Sequence, residues 1–179
     1  MGNPVERYGT RSSLDDISQS SGDFMADKYL SFLIGELRYA FPIKSVREII
    51  GIRSIIPVPE FPEYAKGIIN IRGDVIPVID MHLRFHQPET VHTAHTCIII
   101  INYDDASSIG FIVDNVSDVA ALPPEKISPS PRIAAKNNVS FVLGVGKDDD
   151  GSMIMLLDVD KLLTKEMRKE LSDAQDKRR

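Results

Sequence analysis

The sequence predicts an all-β protein built as a barrel or sandwich. Short runs of β-branched and aromatic residues recur along most of the 179-residue chain, and glycines and prolines separate them. Helical periodicity is confined to a few short stretches, and no strand–helix alternation indicates a parallel sheet. Each half of the chain carries a comparable run of about five short strands.

The folded part is predicted to begin near Lys28. Residues 1–27 are polar and rich in serine, so they bury too little apolar area to offset the entropy lost on ordering. They predict a disordered tail. The strand pattern occupies residues 28–165, and residues 166–179 predict a charged helix end or tail.

The first strands are predicted to form a hairpin, because the patterns at 29–34 and 37–41 flank a tight turn. In segment 43–50 the apolar residues recur at helical spacing after a proline, which predicts a short helix that runs into a strand near Ile49. The prolines of segment 55–59 argue against a central strand.

The middle of the chain predicts a second hairpin. Strands at 67–71 and 75–79 flank the turn 72–74, whose glycine supplies backbone freedom. Pro77 predicts a sheet edge or a bulge, because proline cannot donate a backbone hydrogen bond. Asp80 is a candidate cap for the helical turn that follows.

The second half predicts further strands and one terminal helix. Asp158 is the candidate cap of this helix, and segment 148–151 forms the turn between the last two strands. The strands are predicted at 96–102, 108–113, 116–122, 141–146 and 153–157. The helix carries one apolar stripe, made of Leu162, Leu163, Met167 and Leu171.

Composition argues against several classes of function. The net charge is −5 and the sequence pI is about 5.4, a balance that disfavours nucleic-acid binding, which depends on clustered basic residues. The N-terminus lacks the apolar core of a signal peptide, and no run approaches the ~20 apolar residues that span a bilayer. The single cysteine, Cys97, lies in an apolar strand and is interpreted as a small buried hydrophobe. These features predict a cytosolic protein.

Catalytic chemistry has little support in the sequence. His82 and His86 would share a helix face and could bind zinc, which leaves a metal hydrolase as the alternative from a different class. However, the glutamate of a zincin motif is absent, since Leu83 follows His82. The aspartates of 148–150 lack the other ligands of a calcium loop. No metal and no cofactor are predicted.

Segment 66–80 closely resembles the central signature of the CheW family of chemotaxis coupling proteins. That signature is a strand ending in Asn-hydrophobic-Arg-Gly, followed by a strand with Pro-Val and a hydrophobic-Asp ending. Segments 46–49, 110–116 and 156–163 agree with the same family, in the same order along the chain. The resemblance covers residues 28–165.

The resemblance implies two intertwined five-stranded SH3-like β-barrels, packed as one domain with a hydrophobic groove between them, short helices and a C-terminal helix. It implies a non-catalytic, cytoplasmic adaptor that couples methyl-accepting chemoreceptors to the regulatory domain of a CheA-type histidine kinase, with recruitment to membrane arrays and ring assembly with the kinase. The chain has no room for the kinase or receiver modules of larger relatives. An adaptor for a kinase array that controls surface motility, biofilm or a second messenger is the alternative within this class.

The resemblance also assigns candidate partner-binding residues. Those matching the receptor groove are Ile43, Val46, Ile49 and Val113, and we expect them to be partly exposed. Those matching positions needed for assembly are Glu48, Asn70, Arg72 and Gly73. Those matching the kinase-binding loop are Ile56, Pro57, Val58 and Pro59. Proline at two of these loop positions limits the entropy that the loop loses on docking.

Overall fold

The computed structural model describes residues 27–129, 141–163 and 165–176, and it arranges their strands in two sheets. The predicted tail lies outside this part of the chain except for Asp27, whose carbonyl accepts the Leu122 N–H. The strands are β1 (Lys28–Ile34), β2 (Leu37–Pro42), β3 (Val46–Gly51), β4 (Ala65–Ile71), β5 (Asp74–Asp80), β6 (Cys97–Asn102), β7 (Ser108–Val113), β8 (Asn115–Ala121), β9 (Ile127–Pro129), β10 (Val142–Lys147) and β11 (Met153–Leu157).

The two sheets do not correspond to the two halves of the sequence. One sheet has six strands in the order β8-β1-β2-β11-β10-β9, and the other has five in the order β3-β6-β7-β5-β4. The opening hairpin therefore pairs with strands from the end of the chain, through the parallel pair β2–β11. A second parallel pair joins β5 to β7, and the other pairs are antiparallel. The sixth strand of the first sheet is the short β9, which pairs with β10 at the sheet edge.

Helices are short until the C-terminus. Two 3₁₀ turns span Ile43–Ser45 and Pro124–Lys126, and the α-helices are α1 (Met81–Arg84), α2 (Val159–Leu162) and α3 (Lys165–Asp176). Both predicted caps are confirmed, since the carboxylates of Asp80 and Asp158 each accept two N–H groups of the helix that follows.

The short helix predicted after Pro42 ends earlier than expected, since the strand begins at Val46 and not near Ile49. The 3₁₀ turn ends at Ser45 and has no side-chain cap, and β3 begins at Val46. Pairing with β6 satisfies the backbone of this stretch, and its β-branched residues suit a strand. Tertiary pairing thus overrides the local helical spacing.

The prediction that Pro77 places its strand at an edge or a bulge is confirmed for the bulge, since the register of β4 with β5 shifts between Gly67 and Ala65, opposite Val78 and Ile79. The strand of Pro77, β5, lies between β7 and β4 in the five-stranded sheet. Pro77 is tolerated there because the pairing of β5 with β7 begins at Val78, one residue beyond it. The missing N–H therefore costs no hydrogen bond to that neighbour.

Three apolar clusters hold the sheets together. The central cluster contains buried residues of both sheets, and the Phe41 and Phe111 rings meet across it at 5.3 Å. It also takes up Leu162, Leu163, Met167 and Leu171, and the burial expected for these four residues is confirmed. The prediction of one helix is corrected, because the segment forms two helices, α2 and α3, and Leu163 caps the end of α2. A second cluster lies within the five-stranded sheet, around Ile98 and Ile100, and a third within the six-stranded sheet, around Ala40 and Leu156.

Candidate functional site

The predicted groove residues lie on one face of the five-stranded sheet. Val46 stands opposite Ile101 and Ile49 opposite Ile99, and a bulge between Val46 and Glu48 adds one residue to β3. Because Ile99 and Ile101 both belong to the central cluster, the bulge puts Val46 and Ile49 on the same face although they are three residues apart. Ile43 and Val113 pack in the same cluster.

The exposure of these four residues differs. The side chain of Ile49 is 44% exposed, whereas Ile43 and Val46 are partly buried. Val113 is 0% exposed, so the partial exposure expected for it is wrong. Its strand is interior, between β6 and β5, and the central cluster covers its side chain. Val113 is therefore a core residue that shares the central cluster with Ile43 and Val46.

A cavity of about 230 Å³ opens between the two sheets, and Pro42 and Ser45, at the two ends of the turn that contains Ile43, are among its lining residues. Pro42, Leu143 and Leu157 line it from the six-stranded sheet, and Asn102 and Tyr103 line it from the other side. Sequence reasoning missed Leu143, which is exposed in β10. An exposed leucine in a strand is a weak signal, because it becomes part of a groove only through a neighbouring sheet. Asp158 and Asp160 place negative charge on the wall of this cavity.

The residues predicted for assembly come together at one end of the five-stranded sheet. Arg72 and Gly73 form the β4–β5 turn with φ of +49° and +89°, and the Asn70 side chain accepts the Gly73 N–H at 3.0 Å. The Arg72 guanidinium donates to the Glu48 carboxylate at 2.5 Å. This contact joins the β4–β5 turn, at one edge of the sheet, to β3, at the opposite edge. The sheet is therefore strongly curved.

Sequence reasoning missed the residue that connects this group. The Arg47 guanidinium lies 2.9 Å from Asp74, 3.5 Å from Glu48 and 3.3 Å from the Ser108 hydroxyl. That hydroxyl donates to Asn102 at 2.8 Å. We call this group the polar cap; its members are Arg47, Glu48, Arg72, Asp74 and Ser108. The polar cap lies at the end of the apolar cluster that contains Ile100, because Glu48 pairs with Ile100 across β3 and β6.

The predicted kinase-binding loop is anchored at its first residue. Ile56 exchanges two backbone hydrogen bonds with Ile68 of β4, both at 2.9 Å. Ile56, Pro57 and Pro59 are exposed, and Val58 is partly buried. The loop therefore extends the edge of the sheet and presents apolar atoms to solvent. Gly67 makes this approach possible, because a Cβ there would lie 2.0 Å from the Ile56 carbonyl oxygen.

The histidine pair does not form the arrangement that zinc would need. Helix α1 ends at Arg84 and His86 has a φ of +60°, so His82 and His86 share no helix face. The His82 Nε2 instead lies 2.9 Å and 2.8 Å from the two carboxylate oxygens of Asp114. Over residues 27–129, 141–163 and 165–176, no group of three or more potential ligands could hold a metal ion.

Cys97 is half-buried at the start of β6, and burial raises the pKa of its thiol above the ordinary value. A raised pKa keeps the thiol protonated and unreactive near neutral pH. In the described part of the chain, no helix is long and apolar enough to cross a membrane.

Comparison with known proteins places this arrangement in a family. The model of the CheW-like domain matches residues 28–167. The chemotaxis protein CheW of Klebsiella aerogenes is 31% identical over 153 residues, covering 86% of this chain and 91% of that protein. The CheW of Rhizobium meliloti is 33% identical over 139 residues, covering 78% and 88%.

A solved structure agrees with these matches. The scaffolding protein TtCheW from Thermoanaerobacter tengcongensis superimposes with a TM-score of 0.70 at 34% identity, over 80% of this chain and 96% of that one. The two sheets, with few helices, are the fold of that protein. The chain belongs to the CheW family of chemotaxis adaptor proteins.

Proposed function

We propose that this chain is a non-catalytic adaptor that couples the cytoplasmic tips of methyl-accepting chemoreceptors to the regulatory domain of a CheA-type histidine kinase. It acts in the cytoplasm and reaches membrane arrays through these partners, where it joins rings with the kinase. The observation that carries the proposal is the exposed Ile49 on the same face of β3 as Val46, together with a cavity between the two sheets that the exposed Leu143 lines.

The groove suits an amphipathic helix. Its apolar residues are held by strands rather than by loops, so little conformational entropy is lost when a helix docks. A helix in a groove is recognised through apolar anchors spaced by three or four residues. Ile49, Val46 and Leu143 offer apolar surface to such anchors, and the Asp158 carboxylate on the cavity wall favours a helix with basic residues on its flank. Asp160, on the same wall, is already paired with Arg168 at 2.8 Å.

The kinase is proposed to dock on the loop of Ile56 to Pro59. This loop lies on the β4 edge, whereas Ile49 lies on the groove face, so both partners can be bound at once. Two separate surfaces on one rigid domain are what an adaptor requires.

Ile49→Glu is expected to weaken binding of a soluble receptor-tip fragment by at least tenfold, because a carboxylate would be buried against apolar anchors. Isothermal titration calorimetry measures this affinity. The matched control is Val119→Glu, which changes an equally exposed residue (50% against 44%) on another edge strand, β8. The control should bind the tip normally, and both variants should bind the kinase regulatory domain like the wild type. Equal affinities of the two variants for the receptor tip would contradict the assignment of the groove. A wild-type protein that binds neither partner would contradict the proposed function.

Replacing Pro57 and Pro59 together with alanine is expected to weaken binding of the kinase regulatory domain about threefold to tenfold, because the free loop gains conformations that docking must remove. Affinity for the receptor tip should stay unchanged, and calorimetry with both partners measures the two effects. An equal loss for both partners would indicate a general change in the fold and contradict the loop assignment.

A further inference from the structure

The C-terminal helix α3 reaches the cavity between the two sheets through one side chain. The Arg168 guanidinium donates to the Asp160 carboxylate at 2.8 Å, and its central carbon lies 5.6 Å from the centre of the Tyr103 ring. Asp160 and Tyr103 both line the cavity, whereas Arg168 itself is not one of its lining residues. A cation from outside the cavity is therefore held against the cavity wall.

We propose that Arg168 is a specificity-determining residue of the groove. By neutralising Asp160, it leaves the Asp158 carboxylate as the anionic contact of the cavity, available to one basic side chain of the receptor-tip helix. This inference rests on the proposed adaptor function and concerns one partner, the receptor tip. It adds the charge that the docking helix must carry and the residue of this chain that sets this requirement.

The Asp158 carboxylate is held in place without a cation beside it. As the cap of α2 it accepts the N–H groups of Asp160 and Lys161 at 3.0 and 3.4 Å. The residue is partly exposed, and it forms no salt bridge within residues 27–129, 141–163 and 165–176. Hydrogen bonds of this kind orient a carboxylate but leave its negative charge in place, so a basic group that enters the cavity meets an oriented partner.

The Asp160 carboxylate lies on the same wall but is already paired. Its side chain is 75% exposed and that of Arg168 is 35% exposed. The Arg168 cation is kept beside it, because its Nη2 also lies 3.4 Å from the Asp160 carbonyl oxygen and its guanidinium packs on Tyr103. Met167 and Leu171 anchor helix α3 in the central cluster. A carboxylate with a cation fixed beside it attracts a second cation much less than an unpaired one does.

The remaining cavity wall determines what else the docking helix can carry. Apart from Asp158 and Asp160 the lining residues are uncharged, and Leu143, Leu157 and Val159 among them are apolar. A second charge buried against them would lose hydration without gaining a partner. The cavity therefore suits a helix with apolar anchors and one lysine or arginine facing Asp158, and it rejects a helix with an acidic residue at that position.

The test is the affinity of a soluble receptor-tip fragment, measured by calorimetry at about 50 mM NaCl, where surface charges are weakly screened. Arg168→Gln makes the wall more negative by one unit and should tighten binding about threefold. Adding Asp160→Asn to Arg168→Gln should abolish this gain. Asp158→Asn, which keeps the capping hydrogen bonds, should weaken binding about threefold. A gain in affinity is a result that the loss of a merely structural contact would not give.

Lys169→Gln is the charge-matched control. Lys169 follows Arg168 in the same helix, is exposed and does not line the cavity. Its replacement changes the net charge of the protein equally and should leave tip affinity unchanged. Arg168→Lys keeps a cation beside Asp160 and should show no gain. Every variant should bind the kinase regulatory domain like the wild type, and the differences in tip affinity should shrink at about 500 mM NaCl.

Several outcomes would overturn the inference. They are a tip affinity that falls or stays the same in Arg168→Gln, an equal gain in Lys169→Gln, a gain that persists when Asp160 is also replaced, and an unchanged affinity in Asp158→Asn. Any of these, with a wild-type protein that binds both partners, would leave the adaptor function standing. A wild-type protein that binds neither the receptor tip nor the kinase domain would overturn the adaptor function itself.

Discussion

Replacing Gly67 with alanine is expected to lower the free energy of unfolding by about 4 kcal/mol or more, among the largest effects of a single methyl group. The new Cβ would lie 2.0 Å from the Ile56 carbonyl oxygen and 2.9 Å from the Pro57 Cα, both of them backbone atoms that no rotamer change can move. The φ of Gly67, +142°, adds strain for any other residue. Chemical denaturation measures the loss.

Gly151→Ala is the matched control for this variant. Gly151 also has a positive φ, +84°, but no atom lies within 4 Å of the position of its Cβ. It should cost only the backbone strain, about 1 kcal/mol. Equal costs at the two glycines would show that the chain does not approach itself closely at Gly67. If the Gly67 variant still folds, its affinity for the kinase domain should fall more than its affinity for the receptor tip, because the clash displaces the loop of Ile56 to Pro59.

Replacing Asp80 with alanine is expected to lower the free energy of unfolding by about 4 kcal/mol. This carboxylate is fully buried and accepts four hydrogen bonds, from the backbone N–H groups of His82, Leu83 and Thr90 and from the Thr90 hydroxyl. Alanine would leave those donors without a partner in an interior that water does not reach. Urea denaturation with an unchanged m-value is the measurement.

Asp158→Ala provides the control for this change. Asp158 caps helix α2 in the same way, accepting from Asp160 and Lys161, but near solvent. Water can replace it, so the expected cost is about 1 kcal/mol. If Asp80→Ala lowers the free energy of unfolding no more than Asp158→Ala does, burial of the Asp80 carboxylate does not account for its contribution to stability.

Local chemistry explains why much of the fold could be predicted. Several predicted features depend on residues only a few positions apart. They are the turn at Arg72 and Gly73, the helix caps at Asp80 and Asp158, and the apolar side chains of the C-terminal segment. Short-range spacing is visible in a sequence, because the groups that interact are neighbours along the chain. The family resemblance supplied the intertwined topology, which periodicity alone did not indicate.

In the stretch after Pro42, a helix and a bulged strand place the same residues on one face. A helix over this stretch would place Val46 and Ile49 on one face, because residues three apart in a helix lie close together. A strand with a bulge does the same, since the extra residue shifts the alternation by one. The spacing of the apolar residues therefore indicated that Val46 and Ile49 share a face, but it did not distinguish a helix from a bulged strand.

Arg47 could not be found from the sequence. Its partners Asp74 and Ser108 come from other strands, and only the fold brings them to β3. An arginine between a valine and a glutamate carries no signal of its own. Val113 was misjudged for a related reason, because its exposure depends on the strands that flank β7.

The parallel pair between β2 and β11 has a consequence for how the protein is made. During synthesis the opening hairpin leaves the ribosome more than 100 residues before the strand that must lie beside it, so the β2 edge of that hairpin stays unpaired until residues 153–157 have been made. Contacts between such distant parts of the chain slow folding, since the intervening loop must close first. A chain cut short before Met153 would therefore keep the β4–β5 hairpin and the loop of Ile56 to Pro59 but lack the neighbour of β2, and it would expose an apolar edge prone to aggregation.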